Sequence, residues 1–343
     1  MPVRPRRATS QDVANLAGVS RSAVSLVLND RADGNIAPDT QATIRAAARA
    51  LNYTPSSVAV SLRRQRTQTI GVVTDTIAST AYGGHILIGA TEVATAHGYL
   101  LLTVDTHDNP AVETVAYERL HARQVDALAF AAMGTHEHDA GPLRDAGGPA
   151  IMINCFSADA SVASVSPDER TGGRRAAQRL LDAGHHDILW LGGTLDVLAA
   201  RERLQGYHDA MADAGIRARD PVIGGWNIDT AYEAALAILR RPDPPTAILA
   251  ANDRAAVGVA LAAARCGIDI PGDLSLIGYD DDENVAPVMV PPLTTMRLPH
   301  DELGRIGMRM LIDQLSGSAP SAPAQVVVDC ELIERASVAP RSS

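Results

Sequence analysis

A small all-α module followed by a two-lobed α/β body, with two doubly wound parallel sheets, is the fold that the 343-residue sequence predicts. Three observations predict it. Apolar residues recur at helical spacing up to about residue 51, then change after Thr69 to short runs of strand length separated by amphipathic helical stretches. The strand–helix alternation restarts after about Asp168, which makes two units instead of one. Charge divides near the same place. Residues 1–66 carry ten arginines against four aspartates, a local +6 in a chain of formal charge −10, so the remainder carries −16.

The helical module comes first. Thr9 or Ser10 can cap a first helix, with Val13, Ala14, Leu16 and Ala17 as its buried stripe. Gly18 can take a positive φ and end it. Ser20 caps a second helix in which Val24, Val27 and Leu28 repeat at i, i+3, i+4. A third begins near Pro38–Asp39 and turns Ile44, Ala47, Ala48 and Leu51 to one side. Three such stripes close one small core, and Ala14 and Gly18 allow the first two helices to cross closely. That is a helix-turn-helix, and it leaves Arg21, Ser22, Ser25, Leu26 and Asn29 facing outward. A basic module on an acidic body is the electrostatic footprint of a DNA reader that carries a second domain.

Strands of the body are read at TIGVVT, YLLLTV, DALAFAA and PAIMIN, then at DILWLGG, TAILAAND and LSLIGYDD. Helices are read between them, among them RTGGRRAAQRLLDAG, the Arg201–Gly215 segment and DRAAVGVALAAARCG. Two doubly wound units imply a cleft, and ligands of such sheets sit beyond the carboxyl ends of the strands. Polar residues end those strands: Asp75, Asn154, Asn252–Asp253 and Asp280–Asp281. Arg203 lies early on a helix and Trp226 in the loop GGWNID. Carboxylate, amide and guanidinium groups pair with vicinal hydroxyls, and an indole stacks on the apolar face of a sugar.

Other features exclude more than they suggest. MPVRPRRATSQD has no apolar segment after its charged start, and no run approaches the length of a membrane span. Cys155, Cys266 and Cys330 are odd in number and lack CxxC spacing, which fits reduced thiols and a cytoplasmic location. THEHD (135–139) falls in an expected loop, GHHD (184–187) at a turn, and GGTLDV lacks dinucleotide spacing, so no metal and no cofactor are expected. No GxSxG, HExxH or Cys–His arrangement of enzymatic type occurs.

DVANLAGVSRSAVSLVLN (12–29), LNYTP (51–55) and the segment before TIGVV stand in one order and spacing. In these motifs the chain resembles the lactose-repressor/galactose-repressor (LacI/GalR) family of bacterial transcriptional regulators, and the likeness continues to about Pro340. The resemblance implies a helix-turn-helix domain over 1–55, a hinge helix and linker over 56–67, and an effector-binding and dimerisation domain of periplasmic-binding-protein type over 68–340. Its first lobe is expected at about 68–165 plus 295–322, and its second at about 166–294 plus 323–340. Arg21, Ser22, Ala23 and Leu26 would read bases. Thr9, Ser20, Ser25, Asn29 and Tyr53 would hold the DNA backbone. Leu62 would be wedged into the minor groove from a hinge, SSVAVSLRR, too short to be a stable helix alone. Leu26 stands where the family commonly has arginine; leucine cannot bond guanine but can touch a thymine methyl.

For the body, the resemblance supports Arg203, Asn252 and Asp280 most directly as effector contacts, with Asp75, Asn154 and Trp226 beside them. The expected function is a ligand-responsive repressor. It would bind a near-palindromic operator in double-stranded DNA as a homodimer, under control of a mono- or disaccharide in the interlobe cleft, with no membrane partner. SVAPRSS adds no heptad segment, so dimers are expected in preference to tail-assembled tetramers. The alternatives are a sugar-binding protein or a cytosolic sugar enzyme with a helical appendage.

Overall fold

The computed structural model describes residues 8–29, 31–32, 34–54, 66–77 and 83–341. The chain forms two compact units, Met1–Thr67 and Gln68–Ser343. Leu62 and most of the expected hinge lie outside the described residues.

The described residues of the first unit form three helices, α1 (Ser10–Ala17), α2 (Arg21–Leu28) and α3 (Pro38–Ala50). Thr9 caps α1 through a reciprocal box. Its hydroxyl accepts from the Asp12 amide at 3.3 Å, while the Asp12 carboxylate accepts from the Thr9 amide at 2.8 Å. Gly18 ends α1 at φ +67, in the left-handed region that costs a side chain energy. Val13, Ala14, Val24, Val27, Ala32, Ile44, Ala47 and Ala48 form the core. Leu16, expected in the stripe, is instead 57% exposed. At about 100° per residue, Leu16 falls roughly 110° from the centre of the Val13/Ala14/Ala17 face, outside the narrow stripe that two short neighbours cover.

The second unit holds two six-stranded sheets. β1 (Thr69–Thr74), β2 (Leu100–Asp105), β3 (Ala127–Glu137), β4 (Ala150–Phe156), β5 (Ala163–Pro167) and β11 (Gln325–Val328) build the first, in the order β11-β5-β4-β3-β1-β2, all parallel. β6 (Ile188–Gly192), β7 (Val222–Ile223), β8 (Ala247–Ala250), β9 (Ser275–Asp280), β10 (Thr294–Arg297) and β12 (Glu331–Ile333) build the second, in the order β12-β10-β9-β8-β6-β7. Only the β10–β12 pair there is antiparallel.

Successive strand residues feed opposite faces, as the pleat requires. Ile70 and Val72 join α4 (Gly84–Ala96) and α11 (His300–Ser316) in one core, while Val73 joins α5 (Pro110–Ala122) and α6 (Gly141–Asp145) in another. In the second sheet Ile188 and Trp190 face α7 (Glu169–Asp182) and α8 (Leu198–Asp213). Leu189 and Leu191 face α9 (Ile228–Leu239) and α10 (Asp253–Cys266).

Two helix pairs cross at reciprocal glycines. A Cβ on Gly173 of α7 would lie 2.2 Å from the Arg203 carbonyl oxygen of α8, and one on Gly206 of α8 would lie 2.0 Å from that of Arg170. Gly89 and Gly304 do the same for α4 and α11.

The lobe boundaries differ from those expected. β10 pairs with β9 in the second sheet, with Thr294 opposite Ile277, so the chain crosses after Arg297 and not before residue 295. β11 returns to the first sheet beside β5, with Gln325 opposite Ser164, whereas the resemblance places 323–340 in the second lobe. β5 also carries the first lobe on to Pro167. β11 is chosen by a partner more than a hundred residues away, which local periodicity does not register.

Candidate functional site

In the helical unit, Ser20 caps α2 by accepting from the Ala23 amide at 3.2 Å. Arg21 and Ser22 are exposed on its first turn, and Ser25, Leu26 and Asn29 are half-buried. Asn29 donates to the Ser25 carbonyl at 2.6 Å, which closes the end of the helix. Ala23 and Tyr53 lean on the core, unlike Arg21. Thr9 is held in its capping box at the opposite end of α1. The exposed face of α2 thus offers a cation, a hydroxyl and a half-covered leucine, borne by a helix whose other face is anchored by Val24 and Val27.

The second unit gathers polar side chains between its two sheets. Relative to β4, the third strand is bulged. Ala131 pairs with Ile153 and His136 with Cys155, so β3 spends five residues where β4 spends two. The extra backbone is used. Met133 N donates to Asp75 Oδ2 at 2.8 Å, and Asn154 Nδ2 donates to the Ala132 carbonyl at 2.9 Å. The Thr135 hydroxyl bonds Asn154 Oδ1 at 3.1 Å and Glu169 Oε1 at 3.3 Å, linking the first lobe to the start of α7. Asn154 adopts φ +60, a left-handed value that asparagine tolerates better than most residues.

From Glu169 the chain of contacts continues to Arg203. Nε and Nη2 donate to the two carboxylate oxygens at 2.7 and 3.0 Å, and Nη1 donates to the Ala251 carbonyl at 3.0 Å. The Arg203 and Glu169 side chains are 7% and 4% exposed. The guanidinium carbon lies 3.6 Å from the centroid of the Tyr279 ring and 6.0 Å from that of Trp226. Burial would lower the Arg203 pKa, but the carboxylates of Glu169 and Asp280 and the Tyr279 hydroxyl outweigh it, and the group stays charged. The glycine pair before the TLDV segment has its explanation here. A Cβ on Gly193 would strike the Trp226 ring, and one on Gly192 the Trp190 ring.

Asn252 caps α10, accepting from the Ala255 amide at 2.8 Å. Asp280 ends β9 at φ +119 and lines a cavity of about 280 Å³ with His85, Arg297, Asp282 and Asp301. Burial pushes its carboxyl well above the usual range, against the pull of Arg203. Asp281 lies beyond the strand, lines the same cavity, and bonds Arg297 at 2.8 Å and Arg335 at 2.6 Å. The arrangement therefore offers aromatic faces, one guanidinium and several acceptors, with no activated nucleophile among the described residues. That chemistry suits binding.

THEHD is absorbed differently from expectation. Thr135–Glu137 belong to β3 instead of a loop. His138 shares a hydrogen bond with Glu113 at 2.9 Å and stacks on Phe130, and His136 bonds the Gly134 carbonyl at 2.8 Å. At GHHD, His185 ties Thr246 at 2.9 Å to the Ala339 carbonyl at 3.1 Å, a structural role at the helix-to-strand turn.

Two family descriptions match the chain. Residues 9–56 match the model described as bacterial regulatory proteins, lacI family, and residues 159–338 match that of a periplasmic binding protein-like domain. The ribose operon repressor of Escherichia coli (strain K12) is 34% identical over 90% of this chain and 93% of its own. The chain belongs to the LacI family of bacterial transcriptional regulators. LacI-family members are DNA-binding repressors and not enzymes. The PurR transcriptional repressor of Serratia proteamaculans (strain 568) is 32% identical over 97% of both chains. Among solved structures, a lac repressor dimer bound to operator and the anti-inducer ONPF matches with TM-score 0.83 and 27% identity, over 97% of this chain and all of that one. The complex of the regulator CelR with cellobiose matches with TM-score 0.67 and 28% identity, over 96% and 100%. No helix among the described residues is long and apolar enough to cross a membrane.

Sequence reading missed Glu169, Thr135 and Tyr279 as parts of the site. Glu169 looks like an ordinary acid in the first turn of a helix, and only the neighbouring Asp168 cap hinted at that turn. Asp253 is a strand-end acid in the sequence, and the structure buries it fully. It accepts from the Thr295 hydroxyl at 2.5 Å and the Asp282 amide at 2.8 Å.

Burial pushes the Asp253 carboxyl from 3.8 up to about 7, against those two hydrogen bonds. Between the two values the folded chain holds a proton that the unfolded chain has released. The stability this gives is complete below 3.8 and lost as pH rises through about 7. Urea midpoints measured at about pH 5.5 and about pH 7.5 are expected to fall more steeply in the native protein than in Asp253→Asn, which cannot ionise. Equal slopes would contradict the assignment.

Proposed function

We propose that this LacI-family repressor binds a near-palindromic operator as a homodimer and is switched by a small polyhydroxylated effector, a mono- or disaccharide, between the lobes of its second unit. One observation carries the reading. The run Asn154–Thr135–Glu169–Arg203 crosses from one lobe to the other and ends against two aromatic faces. A ligand between Asp75 and Asn154 on one side, and Arg203, Trp226, Asn252 and Asp280 on the other, would pull on both lobes. The names of the ribose operon repressor and the CelR–cellobiose complex favour a sugar for this chain too. To switch DNA binding, the effector must prefer one lobe arrangement; a 100-fold preference is about 2.7 kcal/mol.

On DNA, Arg21 is the proposed guanine reader, with Ser22, Ala23 and Leu26 completing the base contacts. Thr9, Ser20, Ser25, Asn29 and Tyr53 supply backbone contacts, and Leu62 is the proposed minor-groove wedge. Selection of sites from random DNA, followed by titration of the complex with sugars and purines, tests the whole reading. A palindrome whose complex responds to one sugar supports it; a response to purines alone removes the sugar. Asp280→Ala is expected to abolish the response and leave operator affinity within a few-fold. A surviving response would move the effector site elsewhere.

A further inference from the structure

We propose that Glu169 sets the charge selectivity of the cleft, so that the site takes an uncharged polyhydroxylated ligand and rejects its phosphorylated or carboxylated counterpart. The inference rests on the cleft being the effector site. Arg203 is the cation that would otherwise receive an anion there, and its paired donors are already taken. The contact is a fork of two parallel hydrogen bonds at 2.7 and 3.0 Å, the strong bidentate form of the arginine–carboxylate pair. A third donor is held by the Ala251 carbonyl. An anionic ligand would have to compete for the same fork and strand a carboxylate in a nearly dry site, an arrangement that strongly disfavours it. Glu169 cannot readily swing aside, because the Thr135 hydroxyl bonds its second oxygen from the bulge of β3.

The surroundings work in the same direction. Asp75 is a buried acid just past β1 in the first lobe, and the cavity beside Asp280 holds Asp282, Glu283 and Asp301. Two of its basic groups are already committed: Arg297 pairs with Asp281 and Glu331, and His85 lies 3.3 Å from Asp301. The ligand thus meets acceptors suited to hydroxyl donors, together with the rings of Tyr279 and Trp226, while Arg203 and Arg297 are both paired with carboxylates.

The test uses the full-length protein and matched probes: ribose with ribose 5-phosphate, glucose with glucose 6-phosphate, and inorganic phosphate. Affinities are measured by titration calorimetry and by thermal shift, for the native protein, Glu169→Gln and Glu169→Asp. Glu169→Gln keeps an oxygen for Arg203 but leaves its charge unpaired. We expect inorganic phosphate and the sugar phosphates to bind it at least tenfold more tightly than the native protein, whereas Glu169→Asp should not gain. Two results would overturn the proposal: a native protein that prefers a phosphorylated member of a pair, or phosphate affinity equal in native and Glu169→Gln. Should Glu169→Gln fail to fold, the native comparison and Glu169→Asp still decide. An uncharged sugar whose binding survives Asp280→Ala would count against the cleft as effector site, and not against the charge selectivity.

Discussion

Ile44→Ala is expected to unfold the helical unit and abolish operator binding while the second unit keeps its fold and its ligand. Ile44 is fully buried, at the centre of a core in which Ala14, Ala32, Ala47 and Ala48 contribute little volume. Truncating a buried isoleucine to alanine costs about 2–5 kcal/mol, the more so where the surroundings cannot collapse. Three short helices have little room to collapse, and a unit of this size holds only about 3–5 kcal/mol in total. Fluorescence anisotropy with the selected operator should show loss of specific binding, and calorimetric melting should show that the transition of the second unit is unchanged. Operator affinity within tenfold of native would mean that the core is more tolerant than its geometry implies.

Gly173→Ala is expected to be among the most damaging single methyls in the second unit. The added Cβ would lie 2.2 Å from the Arg203 carbonyl oxygen and 2.7 Å from the Arg203 Cα. Both are backbone atoms, so no side chain can rotate away, and α7 and α8 must separate. Overpacking of this kind costs about 1–3 kcal/mol, and more where only backbone can yield. The damage is also functional, because the separating helices carry the two ends of the Glu169–Arg203 fork. The expected outcome is a clear fall in melting temperature together with weakened effector response. Gly84→Ala, where a Cβ meets nothing within 4 Å and φ is not positive, is the control and should melt within a degree or two of native. Similar melting of the two variants would refute the crossing argument.

The helical unit was legible almost whole, because its information is local. Caps at Thr9 and Ser20, the turn at Gly18 and the proline opening α3 each act within four residues. Leu16 is the exception, and its exposure follows from how little surface two eight-residue helices can cover. The central strands were equally legible, since a strand buried on both faces writes its burial as a continuous apolar run. The short strands β10, β11 and β12 write no run of comparable length, and they are where the lobe boundaries moved.

For the cleft, sequence pointed to which polar residues end the strands, and the motifs pointed to Arg203, Asn252 and Asp280. It could not pair them. Glu169 and Arg203 are separated by 34 residues and meet only because the glycines at 173 and 206 let two helices touch at backbone distance. The bulge that brings Thr135 to Asn154 and Glu169 is likewise a property of two strands together.

The sequence by itself determined the helix-turn-helix, the twofold α/β alternation, the basic head on an acidic body and the family to which the chain belongs. Each is encoded in short-range periodicity, charge and ordered motifs. Only the tertiary structure decided that Arg203 is bound to a buried carboxylate, that Asn154 and Asp75 are held by a strand bulge, and that the chain changes lobe after Arg297. Those are matters of distance between residues far apart in the chain. Distance is settled by packing, when helices and strands choose neighbours to bury area and satisfy buried polar groups.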